Sequence, residues 1–462
     1  MASVAQSIGF VPARPEPLEE RLPLFRLIRT LRHNTIGAWT RQAYERDILV
    51  YRTLFRPIIV ANHPDLIRHV LLDNVANYAR DPLGRRILEP GLGKGLLTSD
   101  GELWKRQRRM MAPLFQPRRL AGFAETMSDR AAALAERLSS WPPGSRIDMA
   151  QQMMLVTLDI IARTMFGADM GIDVSAVGAA MDRYQATVRP NIPDLLGLPH
   201  WVPRPDAAEG RRALAAMDAI IRDLIRRRRE RAAQGGELGS DLLGLLLAAV
   251  DDESGSGMTD TEVRDHMATF FLAGHETTAT ALAWTWYLLA NAPEVEAKLH
   301  AELDAVLAGR PAVYGDYDKL VYTRTVIEEA MRLYPPAHTT SRAAKADDRF
   351  GDLAIPKGTN IIISPWLMHR HKLYWKNPDV FDPENFAPAQ AAQRRRYVYL
   401  PFGAGPRICI GQGFAMIEAV LILATLAQRL RFRLPPGVSI EPIGKITLRP
   451  SPGLPMTIEP RH

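Results

Sequence analysis

Cysteine is nearly absent from this chain: among 462 residues there is one, Cys409. A single cysteine excludes an internal disulfide and any zinc site built on several thiolates, and it suits a reducing compartment. Charged residues supply 24% and hydrophobic residues 47% of the chain, which is the balance of a folded protein with a large core. If Cys409 carries chemistry, it does so alone.

Long apolar runs that could anchor the chain in a membrane are also lacking. Residues 1–21 contain no such run and carry five charged side chains, so neither a signal peptide nor a membrane anchor fits. The longest near-apolar stretch, residues 267–292, has His275 and Glu276 near its middle, which would be costly in lipid. We therefore expect a cytoplasmic protein in which residues 267–292 form a buried core helix.

A nucleic-acid-binding signature is missing, although the net charge is +7. The densest basic run, Arg226 to Arg229 with Arg231, falls at the end of a helical segment that begins near Ala207, where cations complement the helix dipole. No aromatic residues interleave with this run. We expect a solvated helix end and no nucleic-acid partner.

The hydrophobic pattern predicts a mainly α protein with a small β region. Helical periodicity dominates residues 99–335 approximately, whereas strand-like segments fall at about 45–65 and 337–462. The clearest amphipathic or apolar helices are expected at residues 22–44, 120–138, 149–165 and 411–430. No repeat or interdomain linker is visible, so we expect residues 1–462 to form one catalytic domain.

Two capping boxes mark predicted helix starts. Ser99 with Glu102 precedes one apolar run, and Thr259 with Glu262 precedes another. The second helix has no breaker before about Asn291, since Pro293 follows. We therefore expect an unusually long helix.

A glycine-rich loop ends at the lone cysteine. Residues 402–411 read Phe-Gly-Ala-Gly-Pro-Arg-Ile-Cys-Ile-Gly and precede an apolar helix. Glycines let the backbone approach a flat ligand, and helix N–H groups facing the sulfur lower thiolate basicity and tune a bound metal. A thiolate on haem iron favours O–O cleavage. The alternative is that Cys409 is a small buried apolar side chain.

The middle of the predicted long helix contains Ala-Gly-His-Glu-Thr-Thr at residues 273–278. Glycine and paired threonines are poor helix formers, so their position in a helix interior needs a reason. One reason is a local groove in which Gly274 leaves room for dioxygen, Thr277 diverts a backbone hydrogen bond and Glu276 relays protons. The alternative is a helix kink filled by small residues.

Other side-chain pairs are ambiguous on spacing alone. Glu329 and Arg332 share a helix face at i,i+3, as in many surface ion pairs, and Trp104 and Arg108 project together at i,i+4. Residues 369 and 371 are both histidine, but the sequence offers no evident third metal ligand.

Together these motifs resemble the cytochrome P450 family. The residues of the cysteine loop that match its haem-binding motif are Phe402, Gly403, Gly405, Arg407, Cys409 and Gly411. The resemblance implies that Cys409 is the axial ligand of the haem iron and that Phe402 and Gly411 shape the cofactor site. It also implies that haem propionates contact Arg407, Arg342 and the pair Trp104 and Arg108.

The resemblance extends to two further motifs. It implies that Thr277, Glu276 and Gly274 serve oxygen binding and proton delivery, and that Glu329 and Arg332 form a buried structural pair. The third member of that network is usually an arginine, but this sequence has Asn385. We therefore expect the network to be wired differently.

The implied protein has the cytochrome P450 fold and binds haem b without a covalent link. Its reaction would insert one oxygen atom from O2 into a lipophilic substrate, as in a hydroxylase. A fatty acid is the first expectation, with terpenoids, steroids and aromatic compounds as alternatives. Possible carboxylate anchors are Arg80, Arg85, Arg86 and Arg189.

Electrons would come from separate proteins, a ferredoxin or flavodoxin and its reductase. We expect these to dock on basic residues at Arg106, Arg109 and 394–396, and we expect a monomer. Alternatives are a peroxide-driven peroxygenase, an isomerase or dehydratase of the same fold, and a non-enzymatic haem-based sensor. The Glu276 and Thr277 pair argues against the first two.

Overall fold

A computed structural model describes residues 9–52, 56–167 and 207–461, together with Gly178, Arg183, Tyr184, Thr187 and Val202. Helices dominate these residues, as the sequence predicts. The helices are α1 (Leu24–His33), α2 (Pro64–Arg68), α3 (Pro82–Leu92), α4 (Gly101–Met111), α5 (Pro117–Ser139), α6 (Met149–Phe166), α7 (Ala207–Ala233), α8 (Leu242–Ala248), α9 (Asp260–Ala290), α10 (Pro293–Leu307), α11 (Val321–Leu333), α12 (Pro365–Met368), α13 (Pro388–Gln393) and α14 (Gln412–Arg429).

The strands form small sheets beside the helices. They are β1 (Ile48–Tyr51), β2 (Ile58–Ala61), β3 (Tyr78–Arg80), β4 (Arg146–Asp148), β5 (Thr340–Ala344), β6 (Asp348–Phe350), β7 (Leu353–Ile355), β8 (Asn360–Ile363), β9 (Leu430–Arg433), β10 (Glu441–Gly444), β11 (Leu448–Ser451) and β12 (Pro455–Pro460). One sheet has the order β1-β2-β8-β5-β3, and another has the order β4-β12-β9. The pairs β6-β7 and β10-β11 are separate hairpins. In each of the two larger sheets, strands from the first third of the chain pair with strands from the last third.

The long central helix α9 confirms the second capping box. Thr259 Oγ1 accepts the N–H of Glu262, and the Glu262 carboxylate accepts the N–H of Thr259. Most side chains along α9 are buried, and threonines within it satisfy their hydroxyls on their own helix, as Thr285 does on the Ala281 carbonyl at 2.8 Å. Helix α9 packs mainly against α6, so it forms the centre of the larger hydrophobic core.

A smaller core lies under the five-stranded sheet. It is formed by apolar side chains of β2, β8 and the α2 segment, including Ile59, Ile361 and Leu66. Val398 and Leu400, which precede the cysteine loop, belong to the same cluster. The chain leading into Cys409 is therefore anchored against this sheet.

Two sequence predictions of helix limits are wrong. The helix expected over 22–44 ends at His33, because Asn34 takes an extended backbone and hydrogen-bonds β10 through both amide atoms. The first capping box does not form: the cap of α4 is Asp100, whose carboxylate accepts the Gly101 N–H at 3.0 Å, while Ser99 donates to Gln107. Gly101 has φ +60, a conformation that favours glycine, so the chain turns one residue later than the box requires.

Among the described residues, no helix has both the length and the apolar character that a membrane span requires.

The basic run on α7 is not uniformly solvated. Arg228 is buried and bonds Asp241 and the Phe166 carbonyl, whereas Arg226, Arg227 and Arg229 form exposed ion pairs with acidic neighbours.

Candidate active site

The cysteine loop bends sharply before α14. Gly405 has φ +71, and a Cβ at this position would overlap the carbonyl oxygen of Leu71, so only glycine fits. The Cys409 N–H donates to the Phe402 carbonyl at 2.9 Å, which closes the loop into a hairpin-like turn. The loop is thus held on one side by the α2 segment and on the other by α14.

The Cys409 thiol faces a recess that solvent can enter, although protein atoms surround it. Loss of hydration raises the pKa of the thiol, while the Gly411 N–H and the nearby Arg108 guanidinium oppose this and favour the thiolate. The predicted neighbours Gly411 and Arg108 therefore both act on the sulfur. A thiolate in this recess is available to an electrophilic partner such as a metal ion.

Beside the recess lies a cluster of three arginines with one carboxylate. β3 and β5 pair in a register that places Arg80 opposite Arg342, and Arg407 lies close enough to both to repel them. Burial, with repulsion from Arg342 and Arg407, lowers the pKa of Arg80 to about 9. Burial, with repulsion from Arg407, lowers the pKa of Arg342 to about 10. Arg407 pairs with Asp100 and donates to the Ser99 carbonyl at 3.2 Å.

The arginine cluster lacks enough anions for its charge. Among the described residues, Asp100 is the one carboxylate that raises the pKa of all three arginines. The Nε atoms of Arg80 and Arg342 have no hydrogen-bond partner there. Buried cations need compensating charge. A ligand that brings two carboxylates, as haem does through its propionates, fits this cluster.

Trp104 and Arg108 line the same region from α4, as predicted. The Arg407 guanidinium carbon lies 4.2 Å from the centroid of the Trp104 ring, which is a cation–π contact. Arg108 is half-buried, and burial lowers the pKa of its guanidinium while Cys409 raises it. The structure thus brings Trp104, Arg108, Arg342, Arg407 and Cys409 around one recess. Sequence reasoning missed the role of Arg80 here and considered it a substrate anchor instead.

The central part of α9 is accessible where the sequence predicts a groove. Ala273 is exposed and Gly274 and Thr277 are half-buried, although the neighbouring residues of this long helix are almost all buried. Thr277 Oγ1 donates to the Ala273 carbonyl at 2.8 Å, so this hydroxyl occupies the accessible strip. The structure gives Gly274 a packing reason: a Cβ there would lie 2.8 Å from Ile161 Cδ1 of α6.

Glu276 does not point into that strip in this structure. Its carboxylate accepts hydrogen bonds from Thr447 and from Arg449 Nε, the latter at 2.6 Å, and is almost fully buried. Both partners belong to the β10-β11 hairpin and its turn, which packs on α9. The acid that was expected to relay protons is thus held in an ion pair.

The Glu329 and Arg332 pair is completely buried. Arg332 donates to both Glu329 oxygens at 2.7 Å and to the carbonyls of His369, Pro378 and Val380. Burial raises the pKa of Glu329, and the facing guanidinium opposes that shift. The surface alternative is therefore wrong.

Asn385 completes this network in place of an arginine. Its side-chain amide donates to Glu329 at 3.2 Å, and its backbone carbonyl accepts from Arg394. The Arg394 guanidinium lies against the rings of Phe386 and Trp375, at 4.1 and 5.0 Å from their centroids. A positive charge thus remains near the network, but it comes from Arg394.

The structure also locates other residues that the sequence singled out. His369 Nε2 accepts the Leu400 N–H, and no group of three potential metal ligands occurs in the described part of the chain. Arg85 pairs with Glu89 on the surface of α3. Arg189 lies outside the described residues.

Comparison with known proteins identifies the family. The family model described as Cytochrome P450 matches residues 12–456. "Cyclooctatin synthase" of Streptomyces melanosporofaciens is 37% identical over 428 residues, covering 90% of this chain and 89% of that protein. "Cyclooctat-9-en-7-ol 5-monooxygenase" of the same organism is 37% identical over 419 residues, covering 87% and 86%. The chain therefore belongs to the cytochrome P450 family.

The fold comparison agrees. The solved structure titled "Crystal structure of cytochrome P450DA heme domain" superposes with a TM-score of 0.82 at 25% identity, covering 97% of this chain and 98% of that one. The predicted fold class is thus confirmed, as is the expectation of a haem cofactor and of monooxygenase chemistry.

Proposed function

We propose that this chain is a monooxygenase that oxidises a neutral lipophilic substrate, with haem iron bound through Cys409. The observation that carries the assignment of the ligand is the position of the one cysteine in an accessible recess, where its sulfur accepts the Gly411 N–H and the charge of Arg108 acts on it. Residues 1–462 would act as one catalytic domain.

The haem propionates fit the arginine cluster of Arg80, Arg342 and Arg407, with Trp104 and Arg108 at its edge. When bound, thiolate-ligated haem supplies the activation of O2 and the transfer of one oxygen atom to the substrate. The rest of the catalytic work falls to side chains that position the substrate, exclude water and deliver protons.

Thr277 is the proton-handling group that we assign on α9. Its hydroxyl lies in the accessible strip and is oriented by the Ala273 carbonyl. Glu276 precedes it in sequence but is bound to Thr447 and Arg449, so it supplies protons to the strip only after Arg449 releases its carboxylate. A paired acid still distinguishes this chain from the peroxygenase alternative.

For the substrate, we propose a neutral lipophilic compound in preference to the fatty acid that the sequence suggested first. Of the arginines considered as carboxylate anchors, Arg80 belongs to the cofactor cluster, Arg85 to a surface pair, and Arg86 is half-buried on α3 with an interaction of its own. Ala273 in the accessible strip of α9, and the exposed Ala337 and Thr339 just before β5, carry no charge. A relative at 37% identity is named for oxidation of an alcohol, cyclooctat-9-en-7-ol, which supports a terpenoid-like substrate.

For the electron donor, we propose a docking surface different from the one expected at first. Arg106 pairs with Glu262, and Arg109 pairs with Asp251 and Glu253, so these cations are neutralised. Within 394–396, Arg394 bonds the Asn385 carbonyl and Arg395 pairs with Asp65, which leaves Arg396 exposed. Arg118 and Arg119 at the start of α5 are exposed and take part in no ion pair within the described residues.

The position of these two arginines suits electron transfer. Their neighbour Leu120 packs against Gly413 of α14, four residues after Cys409, and Ile408 is exposed in the cysteine loop. An acidic ferredoxin or flavodoxin would bind a surface of this charge. R118Q/R119Q should slow reduction by such a donor at low salt, whereas R226Q/R227Q on α7 should not.

The first experiment compares the reduced, carbon-monoxide-bound spectrum of the protein with that of Cys409→Ser. We expect the thiolate-type Soret band in the parent protein and its loss in the variant. A band that persists in the variant would disprove the ligand assignment. Haem and gas binding without turnover by any donor and substrate pair would instead favour the sensor alternative.

The second experiment tests the substrate class. A neutral terpenoid alcohol and a fatty acid of equal carbon number are titrated against the ferric protein, and turnover is measured with a ferredoxin and its reductase. We expect binding and hydroxylation of the alcohol. Tighter binding and turnover of the fatty acid would overturn the proposal of a neutral substrate.

A further inference from the structure

Helix α1 is unusual because none of its side chains is buried. Its sequence is Leu-Phe-Arg-Leu-Ile-Arg-Thr-Leu-Arg-His, and none of its apolar residues belongs to either hydrophobic core cluster or to the side chains packed against them. Burial of apolar surface is what usually stabilises a short helix in a protein. Leu27, Ile28 and Leu31 of α1 are half-buried, but the apolar residues of its first turn are not, so the first turn needs another explanation.

The first turn of α1 carries two large exposed apolar side chains. Leu24 is 73% exposed and Phe25 is 80% exposed, which are the highest values among the exposed large hydrophobic residues of the described chain. Single exposed apolar residues are common, but two adjacent ones at the tip of a helix mark a surface that contacts an apolar medium.

Cations occupy the remaining exposed positions of the helix. Phe25, Arg29 and Arg32 recur at i, i+4 and i+7, so they share one face, and Arg26 flanks it. All three arginines are exposed, and in the described part of the chain none of them forms an ion pair. The helix contains no acidic residue. Its exposed side is therefore both basic and apolar.

The C-terminal end of α1 fixes the helix to the body of the protein. Asn34 donates to the Pro442 carbonyl at 2.9 Å and accepts the Gly444 N–H at 2.8 Å, and Thr35 donates to the Gly444 carbonyl. These contacts are with β10, whose hairpin partner β11 carries Arg449. The helix is thus held at one end and presents its apolar first turn outward.

We propose that α1 is a docking surface for an anionic lipid bilayer. Arg26, Arg29 and Arg32 would contact phosphate headgroups while Leu24 and Phe25 insert at the boundary of the acyl chains, the arrangement typical of amphipathic helices that lie in a membrane interface. A lipid surface accounts for both the charge and the apolar tip, whereas an acidic protein partner accounts for the charge alone. This inference goes beyond the oxygenation reaction and does not depend on it.

The test measures co-sedimentation of the haem-loaded protein with phosphatidylglycerol-containing vesicles and with pure phosphatidylcholine vesicles at low and high salt. We expect binding to the anionic vesicles that weakens with salt. One arginine near an anionic surface contributes about a fivefold change in partitioning, so R26Q/R29Q/R32Q should lose about a hundredfold. L24S/F25S should lose at least about tenfold.

Matched controls separate this surface from general charge and hydrophobicity. R118Q/R119Q/R396Q removes the same number of exposed arginines, and V250S/L373S removes two exposed apolar side chains elsewhere. Both should bind vesicles like the parent protein. Because every substituted side chain is exposed, all variants should keep the parent's circular dichroism and carbon-monoxide spectrum.

Three results would overturn the proposal. These are absence of binding to anionic vesicles, binding that the α1 variants leave unchanged, and equal losses in the control variants. Sedimentation velocity without lipid adds a fourth: a dimer that L24S/F25S converts to a monomer would show that α1 binds a second copy of the chain. Slower reduction by the electron donor with unchanged vesicle binding would assign α1 to a protein partner.

Discussion

The buried network around Glu329 allows a quantitative prediction for Glu329→Gln. The substitution keeps the shape of the side chain but removes the negative charge that faces Arg332, which donates two hydrogen bonds of 2.7 Å to it. Breaking a buried ion pair by removing one partner costs about 3–5 kcal/mol, because the remaining charge is uncompensated. We expect a loss of that size in the free energy of unfolding.

Asn385→Ala should cost much less. It removes one hydrogen bond of 3.2 Å to the Glu329 carboxylate, which is long for an N–H donor, so we expect a loss of about 1.5 kcal/mol. The Arg394 contact with the backbone carbonyl of residue 385 is retained. Because Asn385 acts through the Glu329 charge, the double variant should lose about 1 kcal/mol less than the sum of the single variants.

Urea denaturation of the haem-loaded protein, followed by circular dichroism, measures these differences. Glu230→Gln is the control, since it breaks an exposed pair with Arg226 and should cost less than about 0.5 kcal/mol. Additive losses in the double variant would refute the coupling of Asn385 to Glu329. A cost of Glu329→Gln no greater than that of the control would refute the argument from burial.

Three further predictions concern the cofactor site and the helix beside it. Arg80→Gln should weaken haem retention by at least about tenfold, because a propionate in the arginine cluster would lose a charged hydrogen-bond donor, while Arg85→Gln should have no effect. Transfer of haem to apomyoglobin measures both, and equal rates would contradict the role of Arg80. Thr277→Ala should keep the rate of oxygen consumption but lower product formed per O2 by several-fold, and unchanged coupling would exclude Thr277 from proton handling. Glu418 of α14 is fully buried, and this burial raises the pKa of its carboxyl well above the ordinary value, although the Thr278 hydroxyl opposes the shift. Its contribution to stability is therefore present below the pKa of an unfolded glutamate and is lost as pH rises towards the folded pKa. Glu418→Gln should match the parent's melting temperature near pH 4 and exceed it increasingly towards pH 8, and a constant difference across that range would contradict this assignment.

Much of the fold could be predicted from local signals. The start of α9 follows from the Thr259 and Glu262 box, because both partners lie within one turn of each other. The cysteine loop is equally local, since its glycines, its cysteine and the helix that follows are contiguous. The failed box at Ser99 shows the limit of such signals: Asp100 also caps, and the left-handed Gly101 favours it.

The cofactor cluster could be predicted only in part. Arg342 and Arg407 belong to recognisable motifs, but Arg80 joins them through the register of β3 against β5, two strands far apart in sequence. The ion pair of Glu276 with Arg449 was missed for the same reason. Side-chain periodicity shows which face of an element is apolar, but it contains no information about which distant element supplies the partner.

The contact between Glu276 and Arg449 has a consequence for recombining this chain with its relatives. The acid lies on α9 and its guanidinium partner on β11, so any crossover between residues 290 and 448 takes the two from different parents. Where the second parent has no cation at the position of Arg449, the chimaera would keep a buried carboxylate without its counter-charge. Crossovers placed before α9 preserve the pair, and libraries built in that way should contain a larger fraction of folded enzymes.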